Sequence, residues 1–161
     1  MPRIISGQSA ISHVPSFSVT RDDASTVGHT GVIDFNTVGH NVGGHYDTSN
    51  DRFVVPVAGL YSFSLSALGA GTSAGGQLAS TVPLAALIQF STDSGSSYTA
   101  FAQAYAYANG ASIYPNVSIG AEVRLNPGDF VRLNVTHGYL YGDASGSYDP
   151  LFSGFLVTRG A

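Results

Sequence analysis

The chain has 161 residues, enough for one well-buried core and too few for two comfortable ones. Charged residues make up 10% of it, against about a quarter in an ordinary soluble domain, and its six cations, all arginines, sit within a net charge of −4, which excludes the basic footprint of a nucleic-acid binder. With no cysteine there is no disulfide frame, thiolate metal site or cysteine nucleophile, and no apolar run approaches the roughly 20 residues of a membrane helix.

In chain order, residues 1–15 read as an extended arm ending at Pro15, rich in serine and small residues and without a secretory apolar stretch. One domain is expected over residues 16–161. Alternation with period two recurs along it and helical periodicity is missing, so the chain is expected to be all-β. From Tyr61 to Ala67 the odd positions are apolar or aromatic and the even ones serine, the pattern of a half-buried strand entered through Pro56 and Gly59. Gly69 to Thr81 reads as a low-complexity loop. Leu84 to Phe90 and Tyr98 to Ala108 flank a Ser/Gly-rich tip and read as a hairpin. Its second strand carries Phe101, Gln103, Tyr105 and Tyr107 on one face and Ala102, Ala104, Ala106 and Ala108 on the other, an alanine row read either as neutral surface or as a face covered by a neighbouring chain. Val117, Ile119, Ala121, Val123 and Leu125 alternate in the same way. Asn126-Pro127-Gly128-Asp129 then supplies a turn, and Val131, Leu133 and Val135 are expected to return as the hairpin partner. About ten short strands with Gly, Pro and Asn turns predict a sandwich, and strand count alone does not separate a jelly roll from an immunoglobulin-like one.

Between Phe35 and Leu65, the positions Phe35, Asn41, Tyr46, Phe53, Gly59, Tyr61 and Phe63 fall at spacings that resemble the signature of the complement C1q globular-head family, related to tumour necrosis factor. Three further blocks agree in order: Phe17-Ser-Val, Val123-Arg-Leu-Asn-Pro-Gly-Asp-Phe-Val-Arg-Leu, and Phe152-Ser-Gly-Phe-Leu-Val. The resemblance departs at Leu65, where the family has an aromatic residue. It implies a ten-stranded jelly roll assembled as a homotrimer, with first and last strands side by side in the inner sheet. Phe17, Val19, Tyr61, Phe63, Phe155 and Val157 are the expected core and trimer-interface residues.

Chemistry is sparse. His40, His45, Tyr46 and Asp47 lie close together, but the spacing fits no zinc pattern and Tyr46 belongs to the fold signature. No Ser-His-Asp constellation or Gly-x-Ser-x-Gly elbow marks a hydrolase, so no enzyme, catalytic residue or required cofactor is expected. The resemblance implies one weak calcium candidate, Asp93 in the hairpin tip, with Asp143 and Asp149 behind it; isolated aspartates in Ser/Gly loops are also ordinary turn formers. Residues 138–150 read as the best ligand loop, since Tyr139, Tyr141 and Tyr148 with Asp143 and Asp149 combine flat apolar faces with acceptors suited to a sugar or a protein partner; a structural loop over the sandwich edge is the other reading. Two functions follow. One is a phage virion component, a head decoration or cement protein or a fibre tip, bound to capsid or fibre proteins. The other is an extracellular soluble lectin binding microbial glycans. Neither involves nucleic acid or membrane.

Overall fold

The structure, a computed structural model, describes residues 13–78, 83–107 and 114–160. The arm before residue 13 and Ala108 lie outside the described residues. Eleven strands and no helix make up the described chain: β1 (Ser16–Thr20), β2 (Val27–Val32), β3 (Thr37–Val42), β4 (Tyr46–Asp47), β5 (Arg52–Val54), β6 (Gly59–Ala70), β7 (Pro83–Ser91), β8 (Thr99–Tyr107), β9 (Asn116–Leu125), β10 (Phe130–Gly142) and β11 (Leu151–Arg159). All pairings are antiparallel. One sheet, A, runs β3-β1-β11-β6-β9. In the other, B, β10 pairs with β2 and β5 on one flank and β7 on the other; β4 extends β5 and β8 extends β7. Among the described residues the sheets join where Tyr139 and Leu140 meet Ala70 and Gly69.

The core between the sheets is aromatic. Phe17, Phe35, Tyr46, Phe53, Tyr61, Phe63 and Phe152 are buried together, with Phe17 stacked on Phe53 at 5.1 Å and edge-on to Phe152 at 5.1 Å. Gly154 explains how two of these rings meet. It lies opposite both Phe17 and Phe63 in the ladders, and a Cβ there would stand 2.5 Å from Phe63 and 2.8 Å from Phe17. Asn41 holds the first turn of this cluster: its side chain accepts from Tyr46 N–H and donates to Tyr46 C=O, both at 2.9 Å, doing the work of a strand partner. Beside the core, a partly buried ion network ties β1 to β2. Asp23 accepts from Arg21 Nε at 3.0 Å and pairs with His29 Nε2 at 2.6 Å, while Arg21 reaches Asp34 at 2.7 Å.

Several expectations are corrected. The strands of the described residues number eleven and not ten, among them the two-residue Tyr46–Asp47 strand against β5. The hairpin expected between residues 117–125 and 131–135 does not form: β9 pairs with β6 in sheet A and β10 joins sheet B. Both rows must be buried, and the chain satisfies them by crossing the sandwich, so the rows face each other through the core. The crossing is locked by Asp129, which accepts from Asn126 N–H at 2.7 Å, and by Gly128 N–H on Val55 C=O at 2.8 Å. The loop expected from Gly69 begins only after Ala70, and Leu78 within it is part of the core. In β8 a bulge at Phe101 breaks the alternation: Phe101 turns inward to Phe63 and Phe90, at 6.0 Å each, while Tyr105 and Tyr107 stay exposed. Ala102, Ala104 and Ala106 lie opposite Ile88, Ala86 and Leu84 and pack on the core, so the alanine row is interior lining and not a docking surface.

Candidate functional site

Three places combine unusual chemistry with exposure. The broadest is the outer face of sheet A. The ladders align Thr20, Leu151, Ser66 and Ser118 in one row, Ser18, Ser153, Ser64 and Gly120 in the next, and Ser16, Phe155, Ser62 and Glu122 in a third. Leu151, Phe155 and Val157 thus form an exposed apolar ridge along β11, with Phe155 50% and Val157 44% exposed, on a floor made mostly of serine, with Glu122 on its β9 edge. The strand period places Phe17, Val19, Tyr61 and Phe63 on the opposite, inward face, each at most 1% exposed. Of the six residues expected at core and interface, four are therefore core, and only Phe155 and Val157 remain available to a neighbour. Beta1 and β11 do lie side by side, yet Phe17 faces Gly154 and Val19 faces Phe152, while Phe155 faces Ser16.

The second place is the end of the sandwich around residues 138–150. Here β10 continues through Gly142, so Tyr139 and Tyr141 are strand residues, and only residues 143–150 form the loop. Tyr141 packs against Tyr114 at 4.6 Å and Tyr148 at 6.5 Å. Tyr114, whose hydroxyl donates to Gly75 C=O at 2.9 Å, was invisible as a partner because it arrives from a distant part of the chain. Tyr139 stands apart, over Gly28. Asp143 brackets the loop, accepting from Ser145 N–H at 3.0 Å and Ser145 Oγ at 2.7 Å. Asp149 is different. It lines a cleft of about 270 Å³ with Ser66, Leu68, Asn116, Ser147 and Tyr148. Its Oδ1 is buried with no hydrogen-bond partner, and burial, opposed by the Asp143 N–H and helped by nearby Asp22, Asp23 and Asp143, holds its carboxyl above the usual range.

Asp93 closes the β7–β8 turn. Its Oδ1 accepts from Ser91 Oγ at 2.7 Å and Ser97 N–H at 2.9 Å, its Oδ2 from Ser97 Oγ at 2.6 Å, and these bonds, led by that from Ser97, push its pKa down to about 2. Both oxygens are committed to serine donors, the geometry of a turn bracket. Among the described residues no group of three or more His, Asp or Glu converges as a metal would require.

The third place is the turn after β3, where His45 meets His13 and not His40. Their ring centroids are 6.4 Å apart, and burial first, then the neighbouring His13, lowers the His45 pKa. Close by, Asp51 adopts a left-handed φ of 51°, accepts the Phe35 N–H, and leaves Oδ1 buried and unpartnered; burial, then repulsion from Asp34, pushes its carboxyl up to about 6.

The family model for the C1q domain matches residues 16–157, with every ladder of both sheets inside or at the edge of that span. The chain belongs to the C1q domain family. The globular domain of zebrafish complement 1qA is similar in fold, with a TM-score of 0.65 and 22% identity over 91% of this chain and 99% of that one. No curated protein matches the sequence. C1q domains are generally non-enzymatic modules that form trimers, bind proteins or other ligands, and are typically extracellular or secreted. In this C1q domain, no helix among the described residues is long and apolar enough to cross a membrane.

Proposed function

We propose that the chain is a homotrimeric, non-enzymatic attachment module that packs the outer face of sheet A about a threefold axis and serves as a virion component, a head decoration or cement protein or a fibre tip. The observation that carries this reading is the ridge of Leu151, Phe155 and Val157 on its serine floor, an apolar surface with little charge to oppose burial. A second exposed apolar patch, Tyr105 and Tyr107 on edge strand β8, is 56% and 61% exposed. Two different patches on one subunit suit a head-to-tail contact that closes into a ring, whereas a twofold dimer uses one patch twice. Sparse charge also suits packing on a capsid or fibre. Light scattering is expected to give three times the 16.6 kDa subunit mass, and the trimer is expected to co-sediment with the capsids or fibres of its own virus.

A soluble lectin is the second reading, favoured by the Asp149 cleft. A half-exposed tyrosine ring, an asparagine amide, two serines and the Asp149 carboxyl suit a sugar ring with its hydroxyls. A glycan array on the purified trimer tests it: binding that disappears in Tyr148→Ala, with the trimer intact, supports the lectin, and an array without hits leaves the attachment reading alone.

A further inference from the structure

The fold brings together two histidines that are far apart in sequence. Leu156 N–H donates to Pro15 C=O at 3.0 Å, which pins the segment entering β1, two residues after His13, against the closing strand. Opposite, Gly43 and Gly44, at φ of +87° and +71°, fold β3 back toward β4 and present His45. The two imidazoles incline by only 30°. Both Nε2 atoms converge on Gly43: the point where a Cβ would stand lies 2.5 Å from His13 Nε2 and closer still to His45 Nε2. The two nitrogens are therefore no more than about twice that distance apart, and only a residue without a Cβ leaves room for both.

We propose that His13 and His45 form a two-imidazole clip for a late first-row divalent transition metal, with Zn2+ its simplest occupant, tying the segment that enters β1 to the β3–β4 turn. Imidazole nitrogen ligates zinc at about 2.0–2.1 Å, so one ion spans the pair after a small rotation of either ring, and water completes the tetrahedron. Imidazole donors suit zinc, copper and nickel, whereas calcium and magnesium require oxygen ligands that this pair does not supply. The clip is independent of what the trimer attaches to.

The test uses Zn2+ alone on the full chain in chelator-free buffer. Saturating Zn2+ is expected to raise the melting temperature by roughly 2 °C or more, reversibly with EDTA, while Ca2+ does nothing. In the same titration the NMR imidazole signals of His13 and His45 are expected to move together, with those of His40 and His137 still. His13→Asn is expected to abolish both responses, each read against that variant's own metal-free melting temperature and spectrum. His45 packs edge-on against Phe53 at 6.4 Å, so the wild-type titration, not a His45 variant, reports on its ligation. No response to Zn2+, a response that survives His13→Asn, or movement of one histidine without the other would each overturn the clip.

Discussion

The outer faces of the two sheets use the same strand alternation and carry opposite chemistry. On sheet B, apart from Tyr105 and Tyr107 on edge strand β8, large exposed side chains are secured within the chain: Arg132 lies 3.4 Å above the Tyr98 ring and donates to Gln89 at 3.0 Å, and Arg52 lies 3.9 Å above Phe130. On sheet A the serine floor offers the ridge of Phe155 and Val157 no such partner, and its residues contact one another at most through bonds such as Ser64 to Ser153 at 2.8 Å. A face finished by its own side chains is built for water. A face left apolar and sparsely charged gains from being covered, because each square ångström of apolar surface removed from water contributes about 25 cal/mol.

The sharpest way to break this contrast is Phe155→Asp with Val157→Asp, which is expected to abolish assembly while leaving the far-UV circular dichroism of each subunit intact; sedimentation velocity reads the change. Phe53→Ala removes a ring fully enclosed between the sheets and is expected to destabilise the subunit by about 3–5 kcal/mol in chemical denaturation, whatever its effect on assembly. Arg132→Ala on sheet B is expected to cost about 1 kcal/mol or less and leave the oligomer unchanged. The gentlest probe is Asp51→Asn, which keeps the acceptor for Phe35 N–H and tolerates a left-handed φ. Because the Asp51 pKa is raised in the fold to about 6, its stabilising contribution is complete below about pH 4 and lost as pH rises through about 6. The variant is therefore expected to melt higher than wild type at pH 7.5 and no differently at pH 4, a gap kept modest by the solvent that still reaches the carboxyl.

Much of the fold was legible because the signature residues are one physical object. Phe35, Tyr46, Phe53, Tyr61 and Phe63 form a single ring cluster, Asn41 ties its turn, and Gly59 makes room where a Cβ would press on Leu156 and Thr158. Alternation could not say which sheet a strand joins, so the row from Val131 to Val135 reads equally as the neighbour of β9 or as its counterpart across the core. Nor could it register the single extra residue at Phe101, which reversed the faces of β8 beyond it. The candidate sites were less legible still, since their decisive pairs are distant in sequence: Tyr114 with Tyr141, Asn116 with Asp149, His13 with His45. Composition named the tyrosines and aspartates of residues 138–150 without showing that Asp143 is spent on its own turn and Asp149 is not.

Sedimentation equilibrium of the wild-type chain beside Phe155→Asp at micromolar concentration tests the role of sheet A most directly. A trimer of 16.6 kDa subunits that dissociates on that substitution is the expected result. A wild-type monomer, or a trimer indifferent to a carboxylate at residue 155, would contradict it.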